Sequence, residues 1–114
     1  MTATPALDTV FSALGDPTRR QIVERLARGR QTISEVSTGF KMSQPAISKH
    51  VKILEQSGLI EREIAGRVHH LRLSPKAMEA ASAWIETQRK YWTAALDRLD
   101  AYLQATSEKD EKKK

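Results

Sequence analysis

The chain has 114 residues, which is enough for one domain with a modest core and too few for a catalytic domain beside a second domain. It contains no cysteine, which excludes disulfides and thiolate chemistry, and its formal net charge is +5. No run approaches the length of a membrane span, and residues 1–5 lack the basic and apolar regions of a signal peptide, so we expect a cytoplasmic protein with no membrane partner.

The first two helices are predicted from apolar spacing and start signals. A short apolar stripe indicates a helix over about residues 5–14 and consists of Leu7, Val10, Phe11 and Leu14. Asp16 before Pro17 is typical of a second helix start, because Asp caps the helix and Pro fits its first turn. Gly29 is expected to end that helix.

Two shorter elements follow. Thr32 and Glu35 have the spacing of a capping box, in which each side chain satisfies the other's backbone N–H, so a short helix is predicted through about Thr38. Residues 39–42 are then the turn of a helix-turn-helix unit, and the next helix begins after Ser43.

The helix over residues 43–56 is the most informative segment. Ile47, Val51 and Leu54 form its apolar stripe, so its other side must face outward with short polar and cationic groups. These are the groups that read base edges and contact phosphates in a DNA groove. The candidate DNA contacts on this helix are Ser43, Gln44, Pro45, Ser48, Lys49, His50 and Lys52.

A hairpin follows, with strands over residues 59–65 and 68–73 joined at Gly66. Arg67 at its tip suits a phosphate or minor-groove contact, and Arg62 is a second candidate whose face depends on strand register. The alternative is a solvated hairpin whose charges only prevent edge-to-edge pairing.

The terminal helix, predicted over residues 75–104, carries an apolar seam about 38 Å long, longer than a small core can cover. Packing within one chain is the alternative, but we favour a two-fold dimer formed by this helix and the helix over 5–14. The predicted interface residues are Leu7, Val10, Phe11, Leu14, Trp84, Ile85, Tyr91, Trp92, Leu96, Leu99 and Leu103. The charged tail, residues 107–114, is expected to be disordered.

Four motifs in order resemble the ArsR/SmtB-like winged helix-turn-helix repressors: residues 13–23, which contain Asp-Pro-Thr-Arg, then 43–54, 57–60 and the Gly-Arg wing at 66–71. The resemblance covers roughly residues 7 to 73. It implies a mainly α fold with a small β-hairpin wing, one domain over residues 1–106, and dimerisation through the first and last helices.

Metal-sensing relatives carry thiolates in the helix that precedes the candidate DNA-contacting helix, or His and carboxylate pairs on the terminal helix. Here residues 32–37 contain neither Cys nor His, and no His follows residue 75. His69 and His70 are consecutive in a strand and should point to opposite faces. We therefore expect no metal site, no cofactor and, since no catalytic constellation is present, no enzyme.

Two function classes remain. The first is a homodimeric DNA-binding regulator, most often a repressor in this family, which binds an inverted-repeat operator through helix 43–56 and wing 60–73. Its control is open between an unknown small-molecule inducer, a protein inducer and its own abundance alone. The second is a winged-helix module that docks another protein through its aromatic terminal helix. Residues 17–30 carry +4 and residues 41–73 carry +3, whereas residues 74–106 balance to zero, which favours DNA as the partner.

Overall fold

The computed structural model describes residues 6–112, with side chains described for residues 6–108. Residue 5 of the first predicted helix and residues 113–114 of the tail lie outside this range. The elements in chain order are α1 (Leu7–Ala13), α2 (Pro17–Ala27), β1 (Gln31–Thr32), α3 (Ile33–Ser37), α4 (Gln44–Gln56), β2 (Ile60–Ala65), β3 (Val68–Leu73) and α5 (Pro75–Lys112). The predicted fold class, mainly α with a small β wing, is confirmed.

The wing is an antiparallel pair of strands, with register running from Ile60↔Leu73 to Ala65↔Val68. Gly66 has φ 65°, which the first position of a two-residue hairpin loop needs and which glycine adopts without strain. The sheet also has a third strand, because β1 pairs with β3 to give the order β1-β3-β2. Strand β1 was not predicted, because a strand of two residues shows no hydrophobic periodicity.

The predicted helix starts are formed by side-chain caps. Asp16 accepts a hydrogen bond from the backbone N–H of Arg19 at 3.0 Å. Thr32 and Glu35 form both bonds of the capping box, each at 3.1 Å. The hydrogen bond from the Thr32 backbone N–H also holds the pKa of the Glu35 carboxyl below its ordinary value.

The first compact unit ends at Ala81 and contains one apolar core. Its fully buried side chains come from every helix of the unit and from the wing, and the largest are Ile22, Ile47, Leu54, Leu59, Leu71, Val10, Val36 and Val51. The placement of Val10 corrects the sequence analysis, which assigned it to a dimer interface. Its exposed fraction is 0%, so the chain's own core already covers it.

The second unit begins at Ser82 and, over the described residues, is the remainder of α5. This helix runs to Lys112, past the predicted end at residue 104, so residues 107–112 are helical where a disordered tail was expected. The sequence after Pro75 contains no Gly or Pro, and its Ala, Glu and Lys residues favour helix. Among the described residues, no helix is long and apolar enough to cross a membrane.

Candidate DNA-binding surface

The helix α4 is held with one face against the core of the first unit. Ile47, Val51 and Leu54 are buried, as their spacing predicts. Ser43 caps the helix by accepting a hydrogen bond from the backbone N–H of Ala46 at 3.3 Å. The core and the cap together fix which side of α4 faces outward.

We call the outward side of α4 the reading face; its members are exposed, and they are Gln44, Pro45, Ser48, Lys49 and Lys52. Gln44 and Ser48 can both donate and accept hydrogen bonds, and they lie four residues apart on one side of the helix. Lys49 and Lys52 form no hydrogen bond or ion pair with any residue that the structure describes, so both cations remain available to an anionic ligand.

His50 does not belong to the reading face. Its position, three residues after Ile47 and four before Leu54, turns it toward the core side, and its side chain is only 19% exposed. Its Nδ1 lies 3.4 Å from Nη1 of Arg19 and 3.8 Å from Oδ2 of Asp16. This edge of the imidazole therefore has partners within the chain, and the predicted contact of His50 with DNA stays a prediction.

Arg62 is also engaged within the chain. Its guanidinium donates to Oε1 of Glu55 at 2.5 Å and lies 2.9 Å from Nδ1 of His69. Its Nε is buried without a partner among the described residues. The network joins the last turn of α4 to the wing, so Arg62 has an ion-pair partner within the chain, and its assignment to DNA stays a prediction.

Arg67 lies at the exposed tip of the wing and forms no hydrogen bond or ion pair with the described residues. The neighbouring wing cation is different, because Arg72 pairs with Glu61 at 2.8 Å. Arg30, from outside the wing, likewise neutralises Glu63 at 3.2 Å. Arg67 is therefore the wing arginine whose guanidinium has no partner among the described residues.

The residues predicted to form a dimer interface divide into two groups. On α1, Leu7, Phe11 and Leu14 are half-buried, and the last two pack against the core cluster. On α5, seven predicted side chains are 46–71% exposed, namely Trp84, Ile85, Tyr91, Trp92, Leu96, Leu99 and Leu103. Tyr102, 67% exposed, belongs to the same apolar face of α5 and was not among the predicted interface residues.

Among residues 6–108, no group of three or more His, Cys, Asp or Glu side chains is placed to hold a metal ion. The two wing histidines are consecutive in β3, so their side chains point to opposite faces of the sheet. The side chain of His69 contacts Arg62, while His70 pairs with Thr32 and Glu63 in the strand register.

Comparison with known proteins agrees with this architecture. The family model described as "Bacterial regulatory protein, arsR family" matches residues 16–62. The chain is 36% identical over 89 residues to the HTH-type transcriptional regulator Rv2034 of Mycobacterium tuberculosis, covering 78% of this chain and 80% of that protein. It is 32% identical over 79 residues to the transcriptional repressor SdpR of Bacillus subtilis, covering 69% and 88%.

A solved structure gives the same result in three dimensions. The ArsR family transcriptional regulator RHA00566 matches with a TM-score of 0.72 and 39% sequence identity, covering 76% of this chain and 96% of that one. Sequence, fold and the exposed reading helix therefore agree, and the chain belongs to the ArsR family of DNA-binding winged-helix transcriptional regulators.

Proposed function

We propose that the chain is a homodimeric repressor that occupies an inverted-repeat operator, with α4 reading each half-site and Arg67 contacting the backbone beside it. The observation that carries the proposal is the reading face. Its polar and cationic side chains are exposed while the apolar side of the same helix is fully used by the core.

The reading face divides by chemistry into two roles. Gln44 and Ser48, on the first turns of α4, carry the paired donors and acceptors that distinguish base edges in a major groove. Lys49 and Lys52 carry charge without acceptors, so they suit phosphates, which all sequences share. We infer that Gln44 and Ser48 determine specificity and that the lysines supply affinity.

The apolar face of α5 supports a second copy as partner. Large side chains such as Trp92 and Leu99 stay more than half exposed, and contiguous apolar surface of this kind marks association sites. A two-fold dimer covers the same patch on both chains and presents two reading helices related by symmetry. Such a pair fits two half-sites about 10 base pairs apart in opposite orientation.

The experiment is a selection of bound fragments from genomic DNA, followed by affinity measurements on the selected sequence. We expect an inverted repeat to be enriched. Lys49→Ala and Lys52→Ala should weaken binding to all sequences, whereas Gln44→Ala should change which base is preferred in each half-site. Lys90→Ala, on the charged side of α5, is the control and should bind like the unaltered protein.

Three results would contradict the proposal. No enriched sequence, combined with binding that does not fall at high salt, would favour a module that docks another protein through α5. Enrichment of a single half-site would contradict the two-fold arrangement. Increased expression of a reporter placed behind the selected sequence, when this protein is supplied, would contradict repression.

A further inference from the structure

The structure brings together two motifs that DNA contact leaves unexplained: Asp16 and Arg19 at the start of α2, and His50 on the inner flank of α4. Arg19 and His50 are 31 positions apart in the sequence, yet Nη1 of Arg19 lies 3.4 Å from Nδ1 of His50. Asp16 approaches the same nitrogen through Oδ2, at 3.8 Å.

Arg19 also holds the end of α1. Its Nε donates to the carbonyl oxygen of Ala13 at 2.6 Å, and its Nη2 donates to that of Ser12 at 3.2 Å. The last carbonyl groups of a helix have no partner within it, and the guanidinium supplies a donor to that of Ala13. The carbonyl of Ser12 also accepts from the backbone N–H of Gly15 at 3.1 Å, so Arg19 adds a second donor there. One side chain thus contacts both the last turn of α1 and the reading helix.

We propose that Arg19 and His50 form a clamp that sets the position of α4 relative to the end of α1, and that both are positioning residues for DNA binding. The inference rests on the proposed function for its affinity readout. Neither residue needs to touch DNA, because a helix that reads base edges must be held to within about 0.5 Å by the residues behind it.

The clamp requires one tautomer of the imidazole. A guanidinium can only donate, so in a hydrogen bond with Arg19 the Nδ1 of His50 is the acceptor and the ring N–H is on Nε2. Asp16 is itself fixed as the cap of α2 by the backbone N–H of Arg19.

A double-mutant cycle on operator affinity tests the clamp. We expect Arg19→Gln and His50→Gln each to weaken binding about tenfold, and the double variant to lose no more than about tenfold, because either change breaks the same contact. Arg20→Gln is the matched control. Arg20 donates to the carbonyl of Leu14, also at the end of α1, but has no contact with His50, so its effect should add to that of His50→Gln.

Two results would overturn the proposal. Additive losses of about a hundredfold in the Arg19–His50 double variant would show independent roles. A salt dependence of binding that becomes shallower in His50→Gln alone would make His50 a phosphate contact. If Arg19→Gln fails to fold by circular dichroism, Arg19→Lys takes its place in the cycle, since Lys keeps the charge and lacks the fork of donors.

Nitrogen NMR of the His50 ring tests the clamp without DNA. We expect the tautomer protonated at Nε2 in the unaltered protein and a mixture of tautomers in Arg19→Met, which has no donor for Nδ1. A ring protonated at Nδ1 would overturn the clamp, while failure of the unaltered protein to bind any duplex would overturn the proposed function and leave the NMR result standing.

Discussion

Replacing Leu99 by Asp on the apolar face of α5 should separate the dimer while each chain stays folded. Leu99 is 53% exposed in the single chain, so the carboxylate can remain hydrated there. In a dimer that covers this face, the same carboxylate would lose its water without gaining a cationic partner.

The size of the effect follows from that exposure. Full burial of a leucine side chain stabilises by about 1.5–3 kcal/mol, so covering the exposed half contributes about 1 kcal/mol per chain and about 2 kcal/mol per dimer. Two unpaired carboxylates in the seam add a cost of several kcal/mol. We therefore expect the dissociation constant to rise by at least about a hundredfold.

Sedimentation equilibrium at micromolar concentration measures this directly, with circular dichroism as the check on folding. Ala101→Asp is the matched control, because it adds the same charge on the opposite side of α5, where the residue is exposed. We expect the control to sediment as a dimer and Leu99→Asp as a monomer. A dimer that persists in Leu99→Asp, or an unaltered protein that is already monomeric, would refute the reasoning.

Three further outcomes follow from the contacts. Arg62→Ala should lower the free energy of unfolding by about 2 kcal/mol in urea titrations, because it leaves Glu55 half-buried without its partner. Arg72→Ala is the control: it breaks an exposed pair and should change the free energy of unfolding by less than about 1 kcal/mol. Equal losses in the two variants would contradict a larger contribution from the half-buried pair. The backbone hydrogen bond from Arg19 holds the pKa of the Asp16 carboxyl below its ordinary value. The ionised carboxylate therefore stabilises the folded protein above the pKa that Asp16 has in the unfolded chain, and this stabilisation is lost as the pH falls through the lower pKa of the folded state. Between about pH 5 and pH 3, the free energy of unfolding should fall less in Asp16→Asn than in the unaltered protein, because the amide keeps the cap and does not titrate. An equal fall in both proteins would contradict the contribution of the Asp16–Arg19 hydrogen bond. Zinc, copper or nickel ions should leave the operator-bound fraction unchanged in a gel-shift titration, since the chain has no thiolate and no His on α5; stoichiometric release by one of them would reveal a site between subunits.

Local signals in the sequence were sufficient to predict where the helices start and where the wing turns. The caps at Asp16, Thr32 and Ser43 depend on atoms three residues apart, and the loop at Gly66 depends on one positive φ. Each was predicted because the chemistry lies within a single turn of chain.

Features that depend on partners elsewhere in the fold could not be predicted from local sequence. Val10 joined the core rather than an interface, because helices packed against α1 decide which of its apolar side chains stay uncovered. His50 and Arg62 are candidates for DNA contact by residue type, but Arg19 engages His50 across 31 positions of sequence and Glu55 engages Arg62 across seven. Charge and spacing alone do not show whether a basic side chain already has an acceptor within the chain.

The salt dependence of operator affinity tests the central claim most directly, because it counts the phosphates that the protein neutralises. Each chain offers Lys49, Lys52 and Arg67 as exposed, unpaired cations, so a dimer should neutralise about six phosphates and give a slope near −5 in log affinity against log salt. The double variant Lys49→Ala/Lys52→Ala should bring that slope to about −2. A slope near zero, or one that the double variant leaves unchanged, would contradict DNA binding through this face of α4.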